Sequence, residues 1–518
     1  MTSAWIGSLL LLAIPAMFFI SAWAHERRAN WQLTMGVAVT ALVISISSGV
    51  LAIAGWVEFG HGFDWVTHEP VSLVMLSLIS FISYINVRYS RSYMAGNGEE
   101  ERRYIRWLSI TLGFVTLVVV SNHMLMMVVA WIGISVALHQ LLIFYPERQR
   151  AVLAAHKKYI FARIAEGFLL AGVVILYFQH DSWLISDIYD NLSQAQGLSY
   201  ADQFAALFLA VAALVKCAQL PLHGWLIQVV EAPTPVSALL HAGIINLGGF
   251  LMIVFAPLLI LSSAAQWLLL IIGGLTTVLA ALVMMTRATV KVRLAWSTMS
   301  QMGLMLVECA LGLFELALLH LIAHSCYKAY AFLNSGSEVE ATMKKRLAKS
   351  TPPSRFDWWM AAILASGLVI ALIMAFALPA PYSPWILLAI ALTLLIAERR
   401  GRLTSASVLS MVALAAVLLV AYSLQKMGVH FIVEPQATSV GLAGDVWMAF
   451  LFVMFFIGYI LLRYHRDHPA MAATWRAFYA GFYLDEYVTR LNLRLYPTRL
   501  PVRFKPKHLK IPKEELFK

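Results

Sequence analysis

KCAQLPLHGWLIQVVEAPTPVSALLH, Lys216 to His241, sets a lysine, two histidines, a glutamate and three prolines inside a run that otherwise reads as membrane. A charged side chain at the centre of a bilayer costs roughly 2.5 to 3.5 kcal/mol on insertion scales, so such residues persist where a pathway or partner uses them. Pro221, five residues after Lys216, removes a backbone hydrogen bond, and Pro233 and Pro235 start a new helix. A helix broken at membrane depth is tolerated where its freed carbonyls line a wet or protein-filled cavity.

The rest of the chain is oil. Its 518 residues are 61% hydrophobic and 13% charged, with a mean hydropathy of +0.76, too little polar surface for a soluble domain. Windows of about 20 apolar residues predict fifteen helices, near 3–24, 33–56, 70–88, 105–121, 123–145, 159–179, 203–221, 234–256, 264–286, 291–312, 315–333, 357–378, 384–398, 404–424 and 445–463. The fold class expected is an all-α polytopic membrane protein of about 15 transmembrane helices with a broken seventh helix. The first run has no basic residue before it and exceeds a signal-peptide core, so it is expected to stay as a span.

Lys and Arg concentrate in cytoplasmic loops. With the N-terminus outside and the C-terminus cytoplasmic, all but four of the 38 Lys and Arg fall inside: Arg27 and Arg28, Arg88 to Arg106, Arg148 to Lys158, Arg287 to Arg293, Lys344 to Arg355, Arg399 to Arg402, and the tail from Arg463 to Lys518. The outside loops Val57–Glu69 and Gln179–Asp202 carry acidic residues and no Lys or Arg. The chain thus divides into a membrane domain, 1–463 with its core at 88–337, and a basic cytoplasmic or interfacial tail, 464–518. The net charge of +11 reports loops and a tail facing an anionic leaflet, not a nucleic-acid surface. Of the four exceptions, Arg163, Lys216 and Lys328 lie inside predicted helices. Lys426 sits at the outer end of the fourteenth, where snorkelling accounts for it.

Cys217, Cys309 and Cys326 lie in or beside spans without CxxC spacing, which reads as buried thiols. There is no Walker loop and no dinucleotide fingerprint, so no cofactor is expected in this chain.

The interior ionisable groups fall into sets. Arg163 and Glu166, three apart, share a helical face. His223 and Glu231 follow the break, and His241 lies on the next helix. His320, His324 and Lys328 form one stripe at i, i+4 and i+8; the tenth helix contributes Glu308, and its Ser297, Thr298, Ser300 and Gln301 can hydrogen-bond neighbours or waters. Lysines, histidines and buried carboxylates can pass protons near neutral pH. Competing readings make Arg163 with Glu166 a structural ion pair and His241 a hydrogen-bonded helix contact. His320 and His324 have metal-ligand spacing but no third ligand, so no metal is expected. Lys216 and Lys328, far from an interface, resist such readings.

The stretch extended to Gly249, with KVRLAWSTMSQMGLM from Lys291 and HLIAHSCYKAYAFLNSGS from His320, resembles the proton-conducting antiporter-type subunits. These are the largest membrane subunit of respiratory complex I, the large Mrp sodium/proton antiporter subunit, and the DabB family of bacterial inorganic-carbon uptake, to which the wording is closest. The resemblance implies an antiporter-like fold in which Lys216 is the central proton-transfer lysine and His241 a relay. His320, His324 and Lys328 would be the second-half connection, Arg163 and Glu166 would flank the first channel, and Pro221, Pro233 and Pro235 would mark the broken helix. Two departures stand out. The family's Trp-Glu-Gly appears here as Trp131-Ile132-Gly133, so Glu166 or Glu308 must replace the carboxylate that switches the lysine, Glu166 being the first choice. The second-half lysine and acid expected after residues 335–356 give way to the apolar Trp358 to Leu378.

The implied function is to couple the proton motive force, in the bacterial inner membrane, to CO2 and bicarbonate accumulation by a cytoplasmic DabA-like partner. That partner is a zinc protein resembling a β-carbonic anhydrase, and the zinc would be its own. Alternatives are sodium/proton antiport, a complex I-type pump, or an anchor for a cytoplasmic enzyme. The segment GFYLDEYVTRL, Gly481 to Leu491, reads as an interfacial amphipathic helix or a docking surface.

Overall fold

The computed structural model describes residues 2–495 except 27–28, 55–62, 68, 97, 195–196, 348–352, 377–379, 399–404, 431, 434–435, 437 and 466–467. The Pro- and Lys-rich end, Arg27, Arg28, Lys349, Arg399, Arg400, Arg402, Arg466 and most of the Val57–Glu69 loop lie outside the described residues. The helices run α1 Thr2–Ala24, α2 Trp31–Ile53, α3 Pro70–Met94, α4 Glu99–Val120, α5 Met124–Leu142, α6 Gln149–His180, α7 Ile185–Gln194, α8 Tyr200–Lys216, α9 Gly224–Gln228, α10 Thr234–Ala242 and α11 Leu247–Val254. They continue as α12 Ala256–Leu261, α13 Ser263–Met285, α14 Val290–Ala310, α15 Phe314–Leu333, α16 Glu338–Leu347, α17 Arg355–Phe376, α18 Ser383–Ala397, α19 Ser405–His430, α20 Gly441–Tyr464, α21 Pro469–Ala480 and α22 Leu484–Leu495.

Each predicted window coincides with a helix or, at 234–256, with α10 and α11 together. Among the described residues twelve are long and apolar enough to cross a membrane by length and composition; α8, α14 and α18 are the other three. The chain is a polytopic helical membrane protein.

Two irregularities shape its centre. A capping box of Ser199 and Asp202 starts α8, which stops at Lys216, short of the expected 221. Turn residues follow to His223, with Ala218 in the left-handed region at φ 53°. The freed groups find partners: Gln219 N–H donates to Leu214 O at 3.0 Å, its side chain to Cys217 O at 2.8 Å, and Leu220 N–H to Thr276 Oγ1 at 3.1 Å. The second irregularity has no proline to announce it. After α10 the chain tightens to a 3-10 turn at Ile244–Asn246 before α11, and Asn246 donates to Ala242 O at 3.0 Å and to Ser325 Oγ at 2.7 Å. The two breaks touch, because Cys217 Sγ donates to Ile245 O at 3.5 Å. A Cβ on Gly248 would meet that sulfur and stand 2.9 Å from Ala213 O.

The helix ends gather into two faces. On one, Arg103 donates to Phe144 O at 2.7 Å, Arg106 pairs with Glu26 at 2.8 Å, and Lys291 meets Thr234 at 3.0 Å. Here α21 and α22 lie across the bundle: Arg287 donates to Phe478 O, Lys157 pairs with Asp485, and Asn492 donates to Leu153 O. On the opposite face Gln436 N–H donates to Gly312 O at 3.0 Å. Helices α17 to α19 pack a small core of their own around Ala361, Trp385 and Leu419. Asp445 of α20 fixes the start of α18 by accepting from the Tyr382 and Ser383 N–H groups, both at 2.7 Å.

Three expectations are corrected. Lys157 and Lys158 are not loop residues: α6 begins at Gln149, and both side chains are buried within it. Lys426 does not snorkel freely but pairs with Glu315. Cys326 is exposed, while Cys217 and Cys309 are buried.

The contact at Gly248 predicts that Gly248→Ala lowers the melting temperature of the detergent-solubilised protein, over-packing costing about 1–3 kcal/mol. Gly167→Ala, with open space around its Cβ, is expected to leave it unchanged or raised.

Candidate functional site

Lys216 ends α8 with its ammonium 4.5 Å from the centroid of the Trp131 ring on α5. No side chain among the described residues forms an ion pair or hydrogen bond with it. The next residue along α5, Ile132, stands where a carboxylate was expected, so the lysine meets an aromatic face instead. Glu166, the first choice as its partner, is buried and held by Arg163 of its own helix at 2.6 Å; it acts on Lys216 only through space.

Lys158 is a residue that the sequence reading missed. It is wholly inside α6 and donates to Ser135 O of α5 at 2.9 Å. A cavity of about 20 Å³ is lined by both lysines together with Trp131, Ser135, Leu240 and Ile244, about the volume that admits one water. The usable signal was register: 158, 162 and 166 fall on one face of a helix, and only the assumed start of the apolar window hid it.

Helix α10 separates this cluster from a second. Leu240 and Ile244 face Lys216, whereas His241 faces α14 and stacks on Phe332, ring centroids 4.3 Å apart. Thr298 donates its hydroxyl to Leu294 O at 3.0 Å, so at its 3.1 Å contact with His241 Nδ1 it must accept. In that arrangement the ring proton sits on Nδ1. Lys328, completely buried, donates to the same Leu294 O at 3.2 Å and to Ser297 Oγ at 2.8 Å. Lys328 and His241 are therefore joined through one carbonyl and one hydroxyl.

His324 continues the line. Its Nε2 lies 3.2 Å from His241 O and its Nδ1 2.7 Å from Gln301 Oε1. The His241 carbonyl accepts from Nε2, and the Gln301 amide can present either its oxygen or its NH2 to Nδ1. The same geometry thus accommodates two protonation states. His320 Nδ1 sits 3.0 and 3.2 Å from the Glu308 carboxylate oxygens. The structure brings His241, His320, His324, Lys328 and Glu308 together, and leaves Lys216 in the field of Glu166.

Of the residues after the break, His223 is buried, with Nδ1 donating to Pro221 O at 3.2 Å and its ring 5.1 Å from that of Trp296. Near it Asp485 of α22 pairs with Lys157 and accepts from Gln228 Nε2 at 2.8 Å. Its carboxylate lies where a Cβ on Gly224 would stand. Glu231 belongs to neither cluster; it ends the 3-10 turn Val229–Glu231 near Lys291. Among the described residues no group of three or more His, Cys, Asp or Glu is placed to hold a metal ion.

Fold and site define a multi-helix membrane protein with two lines of enclosed titratable groups on either side of a buried helix. The transmembrane family described as NADH:quinone oxidoreductase/Mrp antiporter matches residues 121–412, and the chain belongs to that family. It is 64% identical over 517 residues, the full length of both chains, to the probable inorganic carbon transporter subunit DabB of Hydrogenovibrio crunogenus. It is 38% identical over 378 residues to probable inorganic carbon transporter subunit DabB2 of Halothiobacillus neapolitanus, covering 70% of this chain and 68% of that one. A solved Mrp complex from Dietzia sp. DQ12-45-1b contains a chain of the same fold, with a TM-score of 0.60 at 20% identity, over 95% of this chain and 60% of that one.

The seating of Asp485 on Gly224 gives a test of the α22 contact. Gly224→Ala is expected to expel the carboxylate and speed tryptic cleavage at Arg490 and Arg494 severalfold in the detergent-solubilised protein. An unchanged digestion rate would refute the contact.

Proposed function

We propose that this chain is the proton-conducting membrane subunit of a two-component inorganic-carbon uptake system. The observation that carries the reading is the pair of enclosed titratable lines flanking α10 in a chain related end to end to an inorganic carbon transporter subunit. Protons entering from outside pass along Glu308, His320, His324, His241 and Lys328 and along Lys216, Lys158 and Glu166. Two ammonium groups lining one small cavity repel each other, so a proton arriving on one favours release from the other. Because Trp131 cannot titrate, this exchange takes the place of the missing carboxylate switch.

The basic face is cytoplasmic by the bias of Lys and Arg, which puts the N-terminus outside and the tail, 464–518, on the side where a DabA-like zinc partner docks. The partner's zinc performs the hydration of CO2; this chain supplies the proton current. Each inward charge releases about 2.3 kcal/mol at 100 mV, enough to bias a near-balanced hydration.

Lys216→Ala is expected to abolish carbon-dependent growth and proton uptake while the partner still co-purifies. Growth and uptake unaffected by that change would overturn the reading. Replacing sodium by choline is expected to leave uptake intact, whereas an uncoupler stops it; sodium dependence would favour antiport, and uncoupler resistance a simple anchor.

A further inference from the structure

Glu315, in the first turn of α15, has a side chain with no exposed surface. Neither carboxylate oxygen makes a hydrogen bond of full geometry, its own backbone N–H and the Lys426 ammonium being the donors nearest to it. Its nearest cation, Lys426 Nζ on α19, stands 3.5 Å away, at the edge of hydrogen-bonding reach. The other enclosed carboxylates are closed by donors: Glu166 by Arg163, Asp202 by Ser199, Asp445 by two backbone N–H groups, Glu308 by His320. A carboxylate so thinly held in an interior is costly unless a proton or solvent completes it.

Its surroundings connect it to the second cluster. Leu313 N–H donates to Glu308 O at 2.9 Å, so the turn between α14 and α15 is tight and keeps both carboxylates at the same end of the bundle. From Glu308 a cavity of about 250 Å³ extends past Leu311, Leu316, Ser383 and Tyr422, room for several waters at about 30 Å³ each. The Tyr422 phenol lies in the field of both Glu308 and Glu315. Lys426 packs over Trp385, 5.5 Å from its centroid, and about a quarter of its side chain reaches the surface. Among the described residues the charged or titratable groups facing Glu315 are Lys426, His430 and Tyr422 from α19, and Tyr422 also faces Glu308 of α14. All lie on the face opposite the basic one.

We infer that Glu315 and Lys426 form the outward mouth of the proton path, opening through the Tyr422 cavity onto Glu308 and His320. A proton from external water binds the Glu315 carboxylate, loosening its attraction to Lys426. It then crosses the cavity by way of water to the Glu308–His320 pair, and Glu315 returns to the carboxylate that holds Lys426. The inference rests on the proton-conducting reading and adds its entrance, drawn from α15 and α19 where the apolar α17 supplies no titratable group within the membrane.

The test uses the full chain in proteoliposomes with trapped pyranine and a valinomycin-imposed potential. Wild type and Glu315→Asp are expected to conduct, whereas Glu315→Gln falls at least tenfold. The charge-balanced double variant Glu315→Gln with Lys426→Met also stays low, although a merely structural pair would tolerate it. Wild-type flux in that folded double variant, with Lys216→Ala still inactive, overturns the mouth and leaves the reading standing. A wild type no faster than protein-free vesicles removes both. Should the Glu315 variants not fold, Lys426→Cys in a Cys326→Ser background is treated with a membrane-impermeant cationic thiosulfonate from the side opposite the tail. Block of flux supports the mouth, and unaltered flux from fully labelled protein refutes it.

Discussion

The ammonium of Lys216 rests on the face of Trp131 rather than against a carboxylate, and much of the centre of the molecule follows from that one contact. A cation–π contact of this kind is worth about 0.5–2 kcal/mol, less than desolvating the charge costs. It neither accepts nor returns a proton. Compensation must come from longer range, from a Glu166 already committed to Arg163, while Lys158 adds a second positive group to the same small cavity. A site with more lysine and arginine than carboxylate is poised to lose protons rather than to store them.

The backbone is arranged around the same problem. The break after Lys216 and the 3-10 turn at Ile244–Asn246 meet in space, so each irregular segment lies against another instead of against lipid, the condition under which non-helical backbone survives at membrane depth. Gly248 permits the approach by leaving out a Cβ. Helix α10 with α11 is buried throughout and serves as the wall between two clusters. Leu240 and Ile244 face one side and His241 the other, with the His241 carbonyl reaching His324.

How much of this the sequence conveyed depends on the range of the interaction that decided it. Periodicity and hydropathy located the helices, and Pro221 marked a break, because both are local. The i, i+4, i+8 stripe of His320, His324 and Lys328 was legible for the same reason. Lys158 was not, since its neighbours Lys157 and Arg150 read as a loop, and α5, α8 and α10, packed alongside, enclose it. The turn at Gly243 carries no proline and was invisible. Glu315 drew no reading from the sequence, where it merely opens a predicted window; its cationic partner comes from α19, more than a hundred residues later, and no local pattern records that.

The tail shows the same dependence in its strongest form. Lys157 and Asp485 are 328 residues apart in the chain, and Lys157 has almost no exposed surface. If α22 withdrew, that ammonium would lose both of its side-chain partners, Asp485 and Thr489, since α22 carries the two of them, and removing the partner of an enclosed charge is destabilising. His223 lies in the field of the same carboxylate, at the end of the break that follows Lys216. Anything that shifts α22 on the basic face therefore alters the charge felt at the inner end of the Lys216 cluster. By thermodynamic reciprocity, the protonation of that cluster bears equally on how firmly α22 is held.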